Sequence, residues 1–559
     1  MRACELKYAL GLLHFNLEFV AGVEATYHLN VRESLEPLLD LLAETPWWKV
    51  DLELQGFYVE FLEARYPEVL DKLRRLVRRG QVELIVTHYS DQIYLAYPEY
   101  DMEKSQELVG EILERNGLER SRVFFTQENF FTPAAPKFME KHGFEVALID
   151  YRYYNYFHRT KPDLVKPLYS YKGVHVLVGP PPQYTLQPLS CNCLRWLWYW
   201  YGDGEHLLAE GSPYSLLDFR CSGRRRERMR MILNELRDSG YRLVTVSEFV
   251  SELLERGCKP TAMGEVLEGA WNMPANDGVY LWMGRYRSYW EMDVQVRSLS
   301  YKSRKYVLAA ETLVNYAERE GEPTSDLVDY VKLAWKHQLR AECSDPTGWS
   351  PLLPEVGYAV NNAYLAEYYA RLVIGEVKRR IGLERVVVDT MTGRVEEGVL
   401  EEGLVKVEAL PIKLEFVGCE PEVEYLRSGE EYVVRMRFRP KAEVAGVKVP
   451  LIHSLVSYSH SLNDEEVETV NLDKFDFNHI YLPLPNGLIS LDERMHLVKV
   501  NEKMHVAVRV DKIERSIGFL VEGAPSYMEF DWELRVLRTS LEEALRRALE
   551  INVWPRVQV

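Results

Sequence analysis

Carboxylates that stand where apolar runs end are the residues of this chain whose type and spacing point to chemistry. Glu128 closes the segment Phe124-Phe125-Thr126-Gln127-Glu128-Asn129 and has an amide on either side. Such amides can hydrogen-bond both the carboxylate and a hydroxyl-rich ligand. Asp203 lies in Tyr201-Gly202-Asp203-Gly204-Glu205-His206. Its flanking glycines let a ligand approach the backbone closely, although Asp-Gly is also an ordinary turn pair. Two carboxyl groups about 5–5.5 Å apart are what glycoside hydrolysis with retention requires. One attacks the anomeric carbon and the other protonates the leaving oxygen. Glu128 and Asp203 are candidates for these roles, and each also reads as a plain loop acid at the rim of a barrel.

Other chemistries lack support. The 13 histidines never occur as HxH or HxxxH, the spacings common in zinc sites. No metal site is expected, and a metal-dependent deacetylase is disfavoured. GxSxG, Walker A and GxGxxG motifs are missing, so no nucleotide or organic cofactor is implied. Seven cysteines form no CxxC, and Cys191-Asn192-Cys193 is a half-site without a partner. A formal charge of −17 repels phosphate backbones and argues against nucleic acid or an anionic polymer, while neutral oligosaccharides or polysaccharides stay compatible. No uninterrupted apolar stretch reaches the roughly 18 residues of a membrane span, and the N-terminus does not read as a signal peptide. A soluble, cytoplasmic protein is expected, with a homo-oligomer open. The 35 tyrosines and 12 tryptophans include amphipathic rings suited to sugar faces, though most pack cores. Trp271, Trp282, Tyr286 and Trp290 read equally as stacking platforms or as a packed interface.

The elements that would position these residues alternate. Strand-like runs at 8–13, 50–54, 82–86, 123–125, 146–149, 174–178, 196–201 and 243–246 are separated in several places by helical periodicity. Leu35, Leu38, Leu39 and Leu42 mark one helical face, and Val69, Leu73, Leu76 and Val77 another. Such alternation means a parallel sheet covered by helices, and the number of runs points to a closed or nearly closed barrel. His14, His88, Asp91, Glu128, Asp150 and Asp203 each follow a strand-like run, where barrel sites are built. Long helices are expected over 286–382 and alternating β runs beyond Gly382. A final helix opens at the capping box Ser540-Leu541-Glu542-Glu543.

With these segments in hand, the chain resembles glycoside hydrolase family 57. Gly80-Gln81-Val82-Glu83-Leu84, continuing through Tyr89-Ser90-Asp91, is similar to the family's GQ-hydrophobic-E segment. Gln127-Glu128-Asn129, with the helix and strand through Asp150, looks like its nucleophile segment. Asp203-Gly204-Glu205 resembles its D-x-E segment, and Ala341-Glu342-Cys343-Ser344-Asp345 its helical-region segment. The resemblance implies Glu128 as nucleophile and Asp203 as acid/base. It further implies His14, His88, Asp91, Gln127, Asn129, Glu205, Trp271, Asp345 and Trp349 as substrate-binding residues. Leu13-His14-Phe15-Asn16-Leu17-Glu18 stands where the family opens HxHQP, so the reaction type is implied more firmly than the α-glucan substrate.

The expected architecture is α/β: an incomplete (β/α)7-type barrel over 1–285, a helical region over 286–383 that completes the active site, and a C-terminal antiparallel β-sandwich over 384–559. The expected activity is retaining hydrolysis or transglycosylation of α-linked sugars, as in α-amylases and 4-α-glucanotransferases. The alternatives are an α-glycosidase for another sugar such as galactose, or an inactive carbohydrate-binding protein on the same frame.

Overall fold

The computed structural model describes the chain except residues 1–5, 19–20, 180–188, 192–193, 204–208, 211–219, 222, 272, 274, 284–292 and 348–351. It divides into two compact units, Met1–Asp91 with Glu103–Ala275, and Gln92–Met102 with Asn276–Val559.

Among its described residues, seven strands frame the first unit, parallel to one another within the ladders below. They are β1 (Leu6–Phe15), β2 (Val50–Leu54), β3 (Val82–Ile85), β4 (Val123–Phe124), β5 (Val146–Asp150), β6 (Val174–Gly179) and β7 (Leu194–Asp203). One ladder runs β3-β2-β1-β7, and a second joins β6, β5 and β4. A bond from Ser121 N to the Leu84 carbonyl at 2.7 Å ties the approach to β4 onto β3. At the other seam, a Cβ on Gly179 would sit 2.3 Å from the Tyr201 ring, so only glycine lets β6 and β7 come this close. Strands buried on both faces are the mark of a parallel barrel, and every residue of β2 and β5 is buried.

Local signals in the sequence set the helices around it. Pro67 sits at the first turn of Pro67–Arg78, where a missing N–H is harmless. That helix buries Val69, Leu70, Leu73 and Leu76, each worth roughly 1.5–3 kcal/mol. The helix Ala135–His142 stops at Gly143, whose φ of 76° is the left-handed cap. The strand expected over 243–246 is shorter. Arg242–Leu243 pairs with β1, and the Thr245 side chain then accepts from Glu248 N and opens a helix at Val246.

The second unit holds the helices Asp293–Arg319, Ser325–Ala341 and Leu353–Ile381, packed around Leu308, Leu313, Trp335, Ala370 and Val373. Its C-terminal part forms antiparallel sheets of eight and five strands. Ser540 caps the last helix, its hydroxyl accepting from Glu543 N at 3.3 Å.

Candidate active site

Glu128 sits just beyond β4 in a single tight turn, Gln127–Asn129. Its φ is +52° and that of Asn129 is +44°. A left-handed backbone costs a side-chain-bearing residue roughly 1–2 kcal/mol, and strain of this kind persists only where surroundings impose it. Here they do. Trp271 N donates to the Glu128 carbonyl at 3.1 Å, and Phe131 and Gly269 exchange two bonds at 3.0 Å. Gln127 N donates to His88 Nε2 at 3.3 Å. The Asn129 amide donates to the Leu148 carbonyl at 2.8 Å and accepts from Tyr201 Oη at 3.2 Å. Asn129 thus spends both ends of its amide on the scaffold.

Glu128 is buried, 7% exposed. Trp271 Nε1 donates to its Oε2 at 2.8 Å, and Gln127 Nε2 to its Oε1 at 3.4 Å. Burial pushes Glu128 up to about 7, with the Asp203 charge adding to the rise and Trp271, His14 and Arg152 opposing it. Asp203 is half-buried at the end of β7.

A register shift in the β1–β7 ladder, between Leu10 and Gly11, brings His14 opposite Asp203. On the other side of β1, His14 stands opposite Glu53. The His14 ring bonds the Glu53 carboxylate through Nδ1 and packs edge-on to Trp271, centroids 6.3 Å apart. Burial alone would discharge this imidazole. Glu53 foremost, with Asp203 and Asp91, reverses that and pushes it up to about 10. Burial raises Glu53 in turn, against the pull of His14.

Asp91 follows β3 and is buried. Its backbone N donates to Glu18 Oε2 at 2.9 Å, and its Oδ1 accepts from Gln55 Nε2 at 2.5 Å. Burial and the nearby Glu18 charge hold Asp91 well above the carboxylate range. Gln55 also donates to Asn16 Oδ1 at 3.0 Å. His88 is pushed down to about 3 by burial and by the His14 charge, and is neutral. Asp150, at the end of β5, caps the helix Tyr151–His158 by accepting from Arg152 N at 2.7 Å. Burial raises it to about 6, against Arg152.

The first unit therefore brings together His14, His88, Asp91, Gln127, Glu128, Asn129, Asp203 and Trp271. Glu205 and Trp349 lie outside the described residues. Asp345 belongs to the second unit, half-buried in the turn closed by the bond from Thr347 N to the Ser344 carbonyl. Sequence reasoning passed over Glu53, Gln55, Asn16 and Glu18 as functional residues. A usable signal existed for Glu53: two acids alternating within Val50-Asp51-Leu52-Glu53-Leu54, a short run in a barrel whose strands are buried on both faces.

Fold and site define a class, a parallel barrel with buried carboxylates at its strand ends. The Glycosyl hydrolase family 57 model matches residues 11–180. An α-amylase of Pyrococcus furiosus is 24% identical over 392 residues, covering 63% of this chain and 57% of that one. An α-amylase of Pyrococcus horikoshii is 30% identical over 146 residues, 26% of this chain and 23% of that one. A 4-α-glucanotransferase of Thermococcus litoralis is 28% identical over 144 residues, 26% of this chain and 22% of that one. The matches thus span from about a fifth to under three fifths of these relatives. Among solved structures, an α-mannosidase from Enterococcus faecalis V583 superposes with a TM-score of 0.64 at 10% identity, covering 99% of this chain and 90% of that one. This is a likeness of fold. Among the described residues, no helix is long and apolar enough to cross a membrane.

Proposed function

We propose that the chain is a retaining glycoside hydrolase or transglycosylase acting on α-linked sugars, α-glucan oligosaccharides first among them. The observation that carries this reading is Glu128 itself: a buried carboxylate, locked in a strained turn at a barrel strand end, with a second carboxylate within electrostatic reach. Glu128 attacks the anomeric carbon as Asp203 gives its proton to the departing glycosidic oxygen. The glycosyl ester on Glu128 is then opened by water or by a sugar hydroxyl, whose proton passes to the Asp203 carboxylate. Water gives hydrolysis, and a sugar acceptor gives transfer.

The raised affinity of Glu128 for protons fits a site kept dry for a cation. The transition state places positive charge on the sugar ring, and a carboxylate in a poorly solvated site stabilises that charge more strongly than one in water. Trp271 fixes the carboxylate's orientation and closes one side of it. In this reading Asp91 and His14 meet sugar hydroxyls. Asn129 serves by holding the turn.

Glu128→Gln with an activated α-glycoside tests the reading, because turnover at the wild-type rate overturns it. A panel of gluco-, galacto- and manno-configured α-glycosides then resolves the sugar.

A further inference from the structure

Three ionisable side chains stand side by side on three neighbouring strands. The register puts His14 of β1 opposite Glu53 of β2 and opposite Asp203 of β7. His14 Nδ1 is bonded to the Glu53 carboxylate, and both side chains are only 3% exposed. The other charged groups that act on this ring or on Glu128 are mostly acidic. Asp203 and Asp91 act on His14, Asp203 also acts on Glu128, and Glu18 reinforces Asp91. His88 is neutral. Arg152 acts on Glu128 and pairs with Asp150 at 3.0 Å.

A buried carboxylate without a cation is strongly destabilised. Several of them around a single imidazole leave the ring as the place where a proton gains most. We propose that Glu53 is a positioning residue: it holds His14 as an imidazolium between itself and Asp203, and that cation keeps Glu128 ionised as the nucleophile. The proposal rests on the roles assigned above to Glu128 and Asp203. Glu53 itself faces the ring and acts through it. Without the Glu53 charge, burial takes the proton from His14. Glu128 then loses a nearby cation and binds its own proton more tightly.

Glu53→Gln keeps the side chain's shape and removes its charge. Two readouts decide the matter. The first is the protonation of His14, followed by NMR of ring-nitrogen-labelled histidine in the full chain. Wild-type His14 stays doubly protonated through pH 8, and in Glu53→Gln it loses a proton near or below neutrality. The second is the acid limb of kcat/KM on an activated α-glycoside. It moves up by about one pH unit in Glu53→Gln, an approximately tenfold loss just below the limb that vanishes above it, and Glu53→Asp restores much of it. A merely structural role would lower activity equally at every pH. A wild-type His14 that titrates below pH 7, or a limb that stays in place, overturns the proposal. The NMR arm needs no turnover, so a chain that cleaves no α-glycoside would contradict the proposed reaction while His14 still reports on Glu53. If Glu53→Gln does not fold, the wild-type titration alone decides.

Discussion

Two buried polar clusters in this molecule differ in the cation at their centre. In the second unit, Arg304 meets Asp101 through two bonds of 2.7 Å from Nε, and its Nη1 donates to the Val553 carbonyl at 2.7 Å. Arg304 cannot discharge at any ordinary pH, and its planar donors match the carboxylate. In the first unit, a titratable imidazole is shared among carboxylates that outnumber it, and a glutamate beside it is pushed up to about 7. The matched pair has a cation that never discharges, even beside Glu342 and Asp464, which burial holds well above the carboxylate range. The mismatched cluster turns on a ring that can pass its proton, as acid/base chemistry requires.

Substitutions can break this contrast from either side. The largest effect falls on Glu128→Gln, for which turnover of an activated α-glycoside drops by about 10³-fold or more. Asp203→Asn comes next, with a loss of about 10²–10⁴-fold that is steepest for poor leaving groups, since these most need a proton. In the matched cluster, Asp101→Asn leaves Arg304 buried and charged. Denaturant unfolding should show a cost of about 3–5 kcal/mol.

The mismatched cluster should respond to pH with a definite sign. A glutamate whose folded affinity is raised to about 7 holds its proton in the folded state where the unfolded chain has released it. Its contribution to stability is therefore fully present below the unfolded value and is lost as pH rises through the window from about 4.5 to about 7. Glu128→Gln removes this penalty. The variant should be more stable than wild type at pH 8, by up to about 3 kcal/mol, and no more stable at pH 4. An inactive variant that melts higher only above neutrality would mark Glu128 as a residue retained at a stability cost. The smallest expected effect is Tyr201→Phe, which removes one bond to Asn129. About 1 kcal/mol of stability is at stake, with a modest loss of activity as the turn under Glu128 loosens.

Much of the frame was legible from periodicity and punctuation. The barrel runs, the long helices over 286–382 and the Ser540 cap follow from local pattern, because proline, glycine and capping hydroxyls act within a few residues of themselves. Glu128 was legible as an acid at a strand end. Its strained backbone was not, because Trp271, which pins it, arrives 143 positions later. Glu53 was hidden for a similar reason. Its partner sits 39 positions earlier, and an acid in an alternating run reads as a solvent-facing residue until the strand is known to be buried on both faces. Asp203 depended on register: without the shift between Leu10 and Gly11, it would not face His14.

The central claim is that Glu128 forms a covalent bond to the sugar. The direct measurement is trapping with a fluorinated α-glycosyl fluoride that reacts with the nucleophile and hydrolyses slowly, followed by proteolysis and mass spectrometry. The expected result is one glycosyl unit per chain, on the peptide containing Gln127-Glu128-Asn129, and none in Glu128→Gln. An adduct on another carboxylate, or a labelled Glu128→Gln variant, would contradict the account.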